Sequence, residues 1–396
     1  MKRKCILELV IVLFTVFFIS ACDSLVNGGG RSSALEVTRN YNDILPVTDG
    51  WIAVGRSHDE HLDAIIVKYD KQGKKIWERV FGDNTDNLDE FYSVMEISDG
   101  YIVIANLYSV AHGSSIIKFD KKGNFIWAKD LSINAFAVNE AGFIGVGGKK
   151  TATVDTLFIA QFDTDGKIIW EKLIGDNISL DGKNIPYTDE VLHISKIFNG
   201  PDGYFLYGKS TYIYQYFGDM WSVQPGFIAF LNKDGDFYWQ RPMDVNGVDD
   251  IILIKDGIIV AGDVYTYNYD YNTYSDYGRR PFVKKYDLEM NLVWEMPYEE
   301  NSDSGYFKIA KIGNDIFVSA FRIIEGGSYV SGINAEGKKF WDSDAHINDK
   351  YTLYNNIFAI DGGLVVNVYE TLGENSFLFY DSNFLAALKN GKNGSK

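Results

Sequence analysis

The chain has 396 residues, of which 46% are hydrophobic and 15% are aromatic, and its formal net charge at pH 7 is −16. This acidic balance argues against a nucleic-acid-binding protein, because the phosphate backbone is bound mainly by lysine and arginine. The 26 tyrosines and 26 phenylalanines favour strands over helices.

Residues 1–21 have the pattern of a secretion signal. Lys2, Arg3 and Lys4 precede an apolar run over residues 6–19, which is short for a membrane span. The run ends in Ile-Ser-Ala-Cys, which resembles the bacterial lipobox, whose cysteine is lipid-modified and becomes the new N-terminus. We therefore predict a lipoprotein of the bacterial cell envelope, attached to a membrane through a palmitate-type lipid on Cys22. The alternative is an uncleaved membrane anchor.

The segment after this signal is predicted to be a flexible tether over residues 22–34, because it is rich in glycine and serine. The only other cysteine, Cys5, leaves with the signal, so no disulfide is expected. Removing residues 1–21 takes away three basic residues and one acidic residue and leaves a net charge of −18. Unaided binding to anionic lipids is therefore disfavoured, which fits a covalent anchor.

One recurring unit dominates the rest of the chain: an Asp, a Gly three residues later and a Trp four residues after the Gly. The clearest copy is Asp70, Gly73 and Trp77. Asp bonds the backbone N–H groups that follow it and Gly accepts a positive φ, so each unit predicts a hairpin turn. The Trp on the next strand is predicted to fill space against a neighbouring sheet. The tryptophans at this offset are Trp77, Trp127, Trp170, Trp239, Trp294 and Trp341.

A second unit, a glycine turn followed by an apolar strand, recurs every 42 to 61 residues, as at Gly50 and Gly100. Each repeat contains four candidate strands, and periods in this range indicate blades arranged around an axis. We predict an all-β, seven-bladed β-propeller of four-stranded antiparallel blades over residues 35–390, followed by a disordered tail over residues 391–396. The last repeat, 381–388, lacks its Gly and Trp, so residues 35–39 are expected to latch onto it. A monomer is expected.

The repeats resemble bacterial PQQ-like and related β-propeller repeats, in which a docking Trp on the outer strand wedges adjacent blades together. In the quinoprotein pattern the Gly usually comes four residues after the Asp, often with Thr before the Gly. Here the Gly comes three residues after the Asp, so no quinone cofactor is expected. The chain is similar to propeller lipoproteins of bacterial envelopes, and this resemblance implies a fold more than a function.

The loops between the second and third strands of blades four and five, residues 210–225 and 264–278, are long and rich in tyrosine. They are predicted to lie on one side of the ring, where rigid aromatic groups among Asn, Ser and Asp suit peptides or sugars. The alternative is an extended hairpin that packs on its own blade. The candidate ligand-binding residues are Tyr212, Tyr214, Tyr216, Trp221, Tyr265, Tyr267, Tyr269 and Tyr271. Tyr274 and Tyr277 are further aromatic residues of the loop in blade five.

No catalytic motif is found: the chain has no nucleophile elbow, no HExxH and no phosphate-binding loop. His58, His61 and His112 fall in predicted loops, but this spacing is weak evidence and no metal site is predicted. The turns at Asp163 and Asn232 resemble calcium loops only faintly and are interpreted as structural turns.

These observations favour a binding module that engages a protein, peptide or glycan through the aromatic loops of blades four and five, without enzyme activity or cofactor. Two alternatives remain open at this point. One is a scaffold subunit of an envelope assembly complex, and the other is a carbohydrate-active enzyme with acidic residues around a central channel.

Overall fold

The computed structural model describes residues 32–37, 39–57, 63–82, 89–107, 113–150, 155–173, 190–216, 219–223, 225–246, 248–267, 277–296, 304–322, 327–342, 352–361, 363–370, 375–381 and 385. The 29 elements found in these residues are all β-strands. No helix within the described ranges has both the length and the apolar character needed to cross a membrane.

The strands form antiparallel sheets, and the first strand in the chain, β1 (Ser32–Val37), belongs to the last sheet. Blade 1 contains β2 (Arg39–Val47), β3 (Gly50–Ser57), β4 (Ala64–Asp70) and β5 (Lys75–Phe81). Blade 2 contains β6 (Glu90–Ile97), β7 (Gly100–Leu107), β8 (Gly113–Asp120) and β9 (Phe125–Asp130). Blade 3 contains β10 (Ile133–Asn139), β11 (Gly142–Lys150), β12 (Asp155–Asp163) and β13 (Ile168–Leu173).

Blade 4 has an additional strand and contains β14 (Glu190–Asn199), β15 (Gly203–Tyr216), β16 (Asp219–Val223), β17 (Pro225–Asn232) and β18 (Phe237–Asn246). Blade 5 contains β19 (Val248–Ile254), β20 (Gly257–Tyr267), β21 (Tyr277–Tyr286) and β22 (Leu292–Glu295). Blade 6 contains β23 (Ser304–Ile312), β24 (Asp315–Arg322), β25 (Gly327–Ile333) and β26 (Lys339–Asp342). The remaining strands are β27 (Thr352–Ile360), β28 (Gly363–Glu370) and β29 (Asn375–Asp381).

The all-β propeller of four-stranded blades is confirmed, but the predicted count of seven blades is wrong. Six blades, not seven, are built from consecutive strands; β27, β28 and β29 supply only three strands, and β1 pairs with β29 to complete a closing sheet. In the described residues, the position of the outer strand in the last sheet is filled by β1. Leu385, the described residue of the predicted strand 384–388, is not in a strand and packs into the core. An N-terminal strand does pair with the last sheet, but its bounds differ from the predicted 35–39: β1 begins at Ser32, within the predicted tether 22–34, and Arg39 already belongs to β2.

One hydrophobic cluster lies at each junction between neighbours, and together the clusters close a ring. The last of them joins Val365 of the closing sheet to Trp51 and Tyr41 of blade 1. Lys71 and Asp361 bridge the same junction with an Nζ–Oδ2 distance of 2.7 Å. Burying one apolar side chain stabilises the fold by about 1.5–3 kcal/mol, so these junctions, rather than any single sheet, hold the ring together.

The third and fourth strands of each blade are joined by a turn that the side chain of its first residue stabilises. In blade 2, Asp120 Oδ1 accepts hydrogen bonds from the backbone N–H groups of Lys122 and Asn124, both at 2.8 Å. Gly123 completes this turn at a φ of +77°. The bonded carboxylate keeps the pKa of Asp120 below its usual range, chiefly through the Asn124 N–H. The spacing of Asp and Gly in the sequence is therefore the geometry of a two-residue turn followed by a bulge.

Four of the repeat tryptophans lie on outer strands, directly over the turn glycine of the next blade. A Cβ on Gly123 would lie 2.7 Å from Cζ3 of Trp77, and one on Gly166 would lie 2.7 Å from Cη2 of Trp127. Trp170 meets Gly235 and Trp294 meets Gly337 in the same way. In the two remaining copies, the Trp341 ring lies 5.5 Å from that of Tyr380, and Trp239 pairs through its backbone with Phe230.

A basic residue two positions after the Trp adds to this contact, which sequence inspection missed. Lys129 Nζ lies 5.0 Å from the ring centroid of Trp127 and donates to the carbonyl of Gly166 at 2.6 Å. Arg79 lies 5.6 Å from the ring of Trp77 and donates to a carbonyl of the next turn. Such a cation–π contact contributes about 0.5–1 kcal/mol at an exposed site.

The turn of blade 5 places a methionine where the other turns have glycine. Met290 has a φ of +67°, and its N–H donates to the carbonyl of Asp287 at 3.1 Å. A side chain in this region costs about 1–2 kcal/mol. We expect Met290→Gly to be more stable than Met290→Ala by about 1 kcal/mol, because both lose the methionine contacts but only glycine relieves the backbone strain. Chemical denaturation of both variants checks the order; an alanine variant as stable as the glycine variant would contradict it.

Candidate binding face

The direction of the strands defines two faces of the ring. Because consecutive strands are antiparallel, the turns between third and fourth strands lie on one face, which we name the turn face. The connections between second and third strands, and those from one blade to the next, lie on the opposite face, which we name the hairpin face. The loops that carry the candidate aromatic residues all belong to the hairpin face.

In blades 4 and 5 the second strand continues past its sheet on the hairpin face. β15 pairs with β17 up to Lys209 and then with β16, where Tyr214 lies opposite Trp221. The ladder between β20 and β21 extends from Ile258 to Tyr267, which lies opposite Tyr277. In blade 1 the corresponding ladder ends at Arg56. Two neighbouring blades therefore carry extended β-hairpins on one side of the ring.

The structure places most of the candidate residues on these hairpins rather than in loops. Positions 212, 214 and 216 alternate along β15 and so belong to one face of that strand, and positions 265 and 267 share a face of β20. Tyr269, Tyr271 and Tyr274 lie outside the described residues. The backbone therefore forms the extended hairpins that were the alternative interpretation of these segments. In these hairpins the aromatic positions have a defined register across the paired strands.

Sequence analysis missed a second feature, a ring of β-bulges around the axis. The first strands of neighbouring blades contact one another, which makes them the innermost strands. Each has one extra residue relative to its second strand, close to the end where it enters from the hairpin face. The bulged residues, which we name the channel mouth, are Asn42, Tyr92, Asn134, Ser195, Asp249, Phe307 and Asn355.

In blades 1 and 5 the residue after the bulge is an aspartate that forms polar contacts with neighbouring blades. Asp43 Oδ2 accepts hydrogen bonds from Ser93 Oγ at 2.6 Å and from the backbone N–H of Val94 at 3.0 Å, while its Oδ1 accepts the N–H of Ile44. Burial raises the pKa of the Asp43 carboxyl, although the bonds from Ser93 and Val94 act in the opposite direction. This carboxyl therefore ties blade 1 to blade 2 deep in the ring.

Asp250 is the equivalent residue in blade 5 and contacts both of its neighbours. Its Oδ1 lies 2.7 Å from Lys196 Nζ in blade 4, and its Oδ2 accepts the N–H of Ile309 in blade 6 at 3.0 Å. Burial raises the pKa of Asp250, but the charges of Lys196 and Lys308 and the hydrogen bonds outweigh this effect and hold the pKa below its usual range. No single sequence signal marks this ring, because the residue after the bulge is Asp43 in blade 1 but Ala135 in blade 3.

The weaker metal candidates gain no support from geometry. His58, His61 and His112 lie outside the described residues. Among the residues that the structure describes, no group of three His, Cys, Asp or Glu side chains is placed to hold a metal ion. Asp163 Oδ1 accepts the N–H groups of Asp165 and Lys167 at 3.0 and 2.8 Å, so its carboxylate stabilises its own turn.

Comparison with known proteins supports the fold. No protein-family model matches the chain, and no curated protein matches its sequence. Among solved structures, the polysaccharide lyase Uly1 is similar with a TM-score of 0.56 at 7% identity, covering 89% of this chain and 99% of that chain. A mutant of the Synechocystis apocarotenoid oxygenase has a TM-score of 0.52 at 11% identity, covering 90% of this chain and 92% of that chain.

A quinohemoprotein alcohol dehydrogenase from Pseudomonas putida HK5 is similar at a lower TM-score of 0.45 and 9% identity, covering 85% of this chain and 66% of that chain. Similarity at these identities shows the fold alone, and propellers support many unrelated functions. The chain is a β-propeller, a class whose members include enzymes and interaction modules. The activities of these neighbours do not transfer to it.

Proposed function

We propose that this protein is an interaction module of the bacterial cell envelope, anchored through a lipid on Cys22, that binds a protein, peptide or glycan on its hairpin face. The observation that supports the proposal is the extension of two neighbouring ladders beyond their blades, with tyrosines at alternate positions. Tyrosine offers a large contact area and loses little conformational entropy on binding. Binding residues on projecting segments of a rigid scaffold are a common arrangement.

The position of β1 in the ring supports an orientation in which the hairpin face points away from the membrane. β1 occupies the position of a fourth strand, and it therefore runs from the turn face to the hairpin face. The chain before Ser32 then leaves from the turn face. A tether from Cys22 to Ser32 reaches at most on the order of 30 Å. A lipid on Cys22 would thus hold the turn face toward the membrane and leave the hairpins of blades 4 and 5 exposed to partners.

Substitution of the hairpin aromatics tests the proposal. We expect a variant with Tyr214→Ser, Trp221→Ser and Tyr267→Ser to lose binding by at least about tenfold, because aromatic anchors dominate interfaces of this kind. The measurement is binding of the wild-type chain and the variant to arrayed oligosaccharides and peptides, followed by titration of each hit.

The control is Tyr238→Ser, which removes a tyrosine that is 76% exposed on the outer strand β18. This variant should bind as the wild type does. Equal affinities for the wild type, the hairpin variant and the control would show that the hairpins do not form the binding surface, and the proposal would fall.

A further inference from the structure

The channel mouth exposes polar and aromatic side chains at the centre of the ring. Tyr92 is 45% exposed although it lies on an innermost strand, and Asn134 and Ser195 are also exposed. The residues before them on the strands are buried: Phe91 is 0% exposed and Ile133 is 1% exposed. In these blades solvent therefore reaches the bulged residue but not the residue that precedes it.

The bulges determine this exposure. A bulge leaves one residue unpaired and redirects its side chain, and bulges are frequent next to functional sites. Here the bulge recurs near the hairpin-face end of every first strand. A single bulge would be a local irregularity. The repetition places one bulged backbone position from each sheet on the innermost strands.

The chemistry of these side chains matches that of sugar hydroxyls. The amide of Asn134 both donates and accepts hydrogen bonds, and so does the hydroxyl of Ser195. A sugar hydroxyl needs both kinds of partner. The exposed ring of Tyr92 offers a flat apolar surface for the C–H face of a sugar ring, with a hydroxyl at its edge.

Charge disfavours an anionic ligand. Asp249 is one of the mouth residues, and Lys196, which follows the bulge of blade 4, is paired with Asp250. The described part of the mouth therefore has no excess of positive charge to hold an acidic polysaccharide. The chain as a whole carries a formal charge of −16, which also repels a polyanion.

We propose that the channel mouth binds the end of a neutral oligosaccharide, with Tyr92 stacking on a sugar ring and Asn134 and Ser195 hydrogen-bonding to its hydroxyls. The inference rests on the proposed function and specifies its ligand: the hairpins of blades 4 and 5 lie on the same face as the mouth, and they would contact the rest of the chain. Peptides are the competing class, and the test separates the two.

The test is calorimetric titration of neutral oligosaccharides built on glucose, galactose, mannose or N-acetylglucosamine. We expect the wild-type chain to bind at least one of them, and Tyr92→Ala to weaken that binding by about tenfold or more. Tyr92→Phe, which keeps the ring, should retain most of the affinity. The double variant Asn134→Ala, Ser195→Ala should weaken binding although it keeps the aromatic ring of Tyr92. Tyr238→Ala is the control for loss of an exposed tyrosine.

The outcomes distinguish this inference from the proposed function. Binding that is lost in the hairpin variant but unchanged in Tyr92→Ala would overturn the inference and leave the function standing. Capture of peptides or acidic oligosaccharides, and not neutral ones, would have the same consequence. Wild-type affinity in both the hairpin and the Tyr92→Ala variants would overturn both. Thermal unfolding of each variant establishes that loss of binding is not loss of fold.

Discussion

Gly166→Ala should lower the free energy of unfolding by about 2–4 kcal/mol. Gly166 has a φ of +68°, and a Cβ there would lie 2.7 Å from Cη2 of Trp127 in the preceding blade. The substitution therefore strains the backbone of the turn and also displaces the side chain of Trp127 from its contact with the turn. Denaturant unfolding followed by tryptophan fluorescence measures the loss.

Gly148→Ala is the matched control, because a Cβ at Gly148 would meet nothing within 4 Å. Its effect should stay within about 0.5 kcal/mol of zero. Similar losses at Gly166 and Gly148 would mean that contact between the Trp and the turn does not hold neighbouring blades together.

Asp250→Ala should lower the free energy of unfolding by about 2–4 kcal/mol at pH 7. The substitution removes the acceptor for Lys196 and for the N–H groups of Ile251 and Ile309. The side chain of Asp250 is 8% exposed and that of Lys196 is 41% exposed, so the pair is partly screened and the loss stays below that of a fully buried pair. Chemical denaturation measures the change.

Asp256→Ala provides the comparison at an exposed site. Asp256 Oδ2 also lies 2.7 Å from a lysine, Lys285, but the Asp256 side chain is 69% exposed. Its loss should cost less than about 1 kcal/mol. Equal effects at Asp250 and Asp256 would contradict a structural role for the inner ring.

The pH dependence of the Asp250 effect has a defined sign. Because the pKa of Asp250 is lowered in the folded state, its stabilisation is present above the unfolded pKa, about 3.9, and is lost as the pH falls through the folded pKa. The difference in stability between the wild type and Asp250→Ala should therefore narrow as the pH falls below about 4. A difference that grows in acid would show that the carboxylate is not the stabilising form.

Local sequence patterns predicted the blades because each blade depends on short-range turns. The side chain of Asp70 bonds the N–H groups of Gln72 and Lys74, so the turn is encoded within five residues. The blade count failed where the encoding is not local. Pairing of Leu35 with Phe377 joins the two ends of the chain, and no nearby residue specifies it.

The candidate site also has one part that local sequence predicted and one part that it did not. Tyrosine-rich segments in blades 4 and 5 were visible in the sequence, although their β-hairpin geometry depends on register. The channel mouth was missed because a bulge is a property of two paired strands. The contact between Lys196 and Asp250 spans 54 residues, so only the assembled ring brings these side chains together.

Closure of the ring by β1 is the central claim, because it fixes both the composition of the closing sheet and the face from which the tether leaves. A disulfide tests it directly. Leu35 and Phe377 are partners across the β1–β29 ladder, and such pairs have Cα atoms about 4.5–5.5 Å apart, within the range for a disulfide. With Cys5 and Cys22 replaced by serine, Leu35→Cys and Phe377→Cys should form an intramolecular bond on mild oxidation. The product should migrate as a compact monomer in a non-reducing gel.

Leu35→Cys with Asn367→Cys is the control, since Asn367 pairs with Phe377 from the other side and lies two strands from Leu35, at about 10 Å. The account predicts a rapid cross-link within one chain for the first pair and none for the second. A first pair that stays reduced, reacts no faster than the control, or links only separate chains would contradict closure by the N-terminal strand.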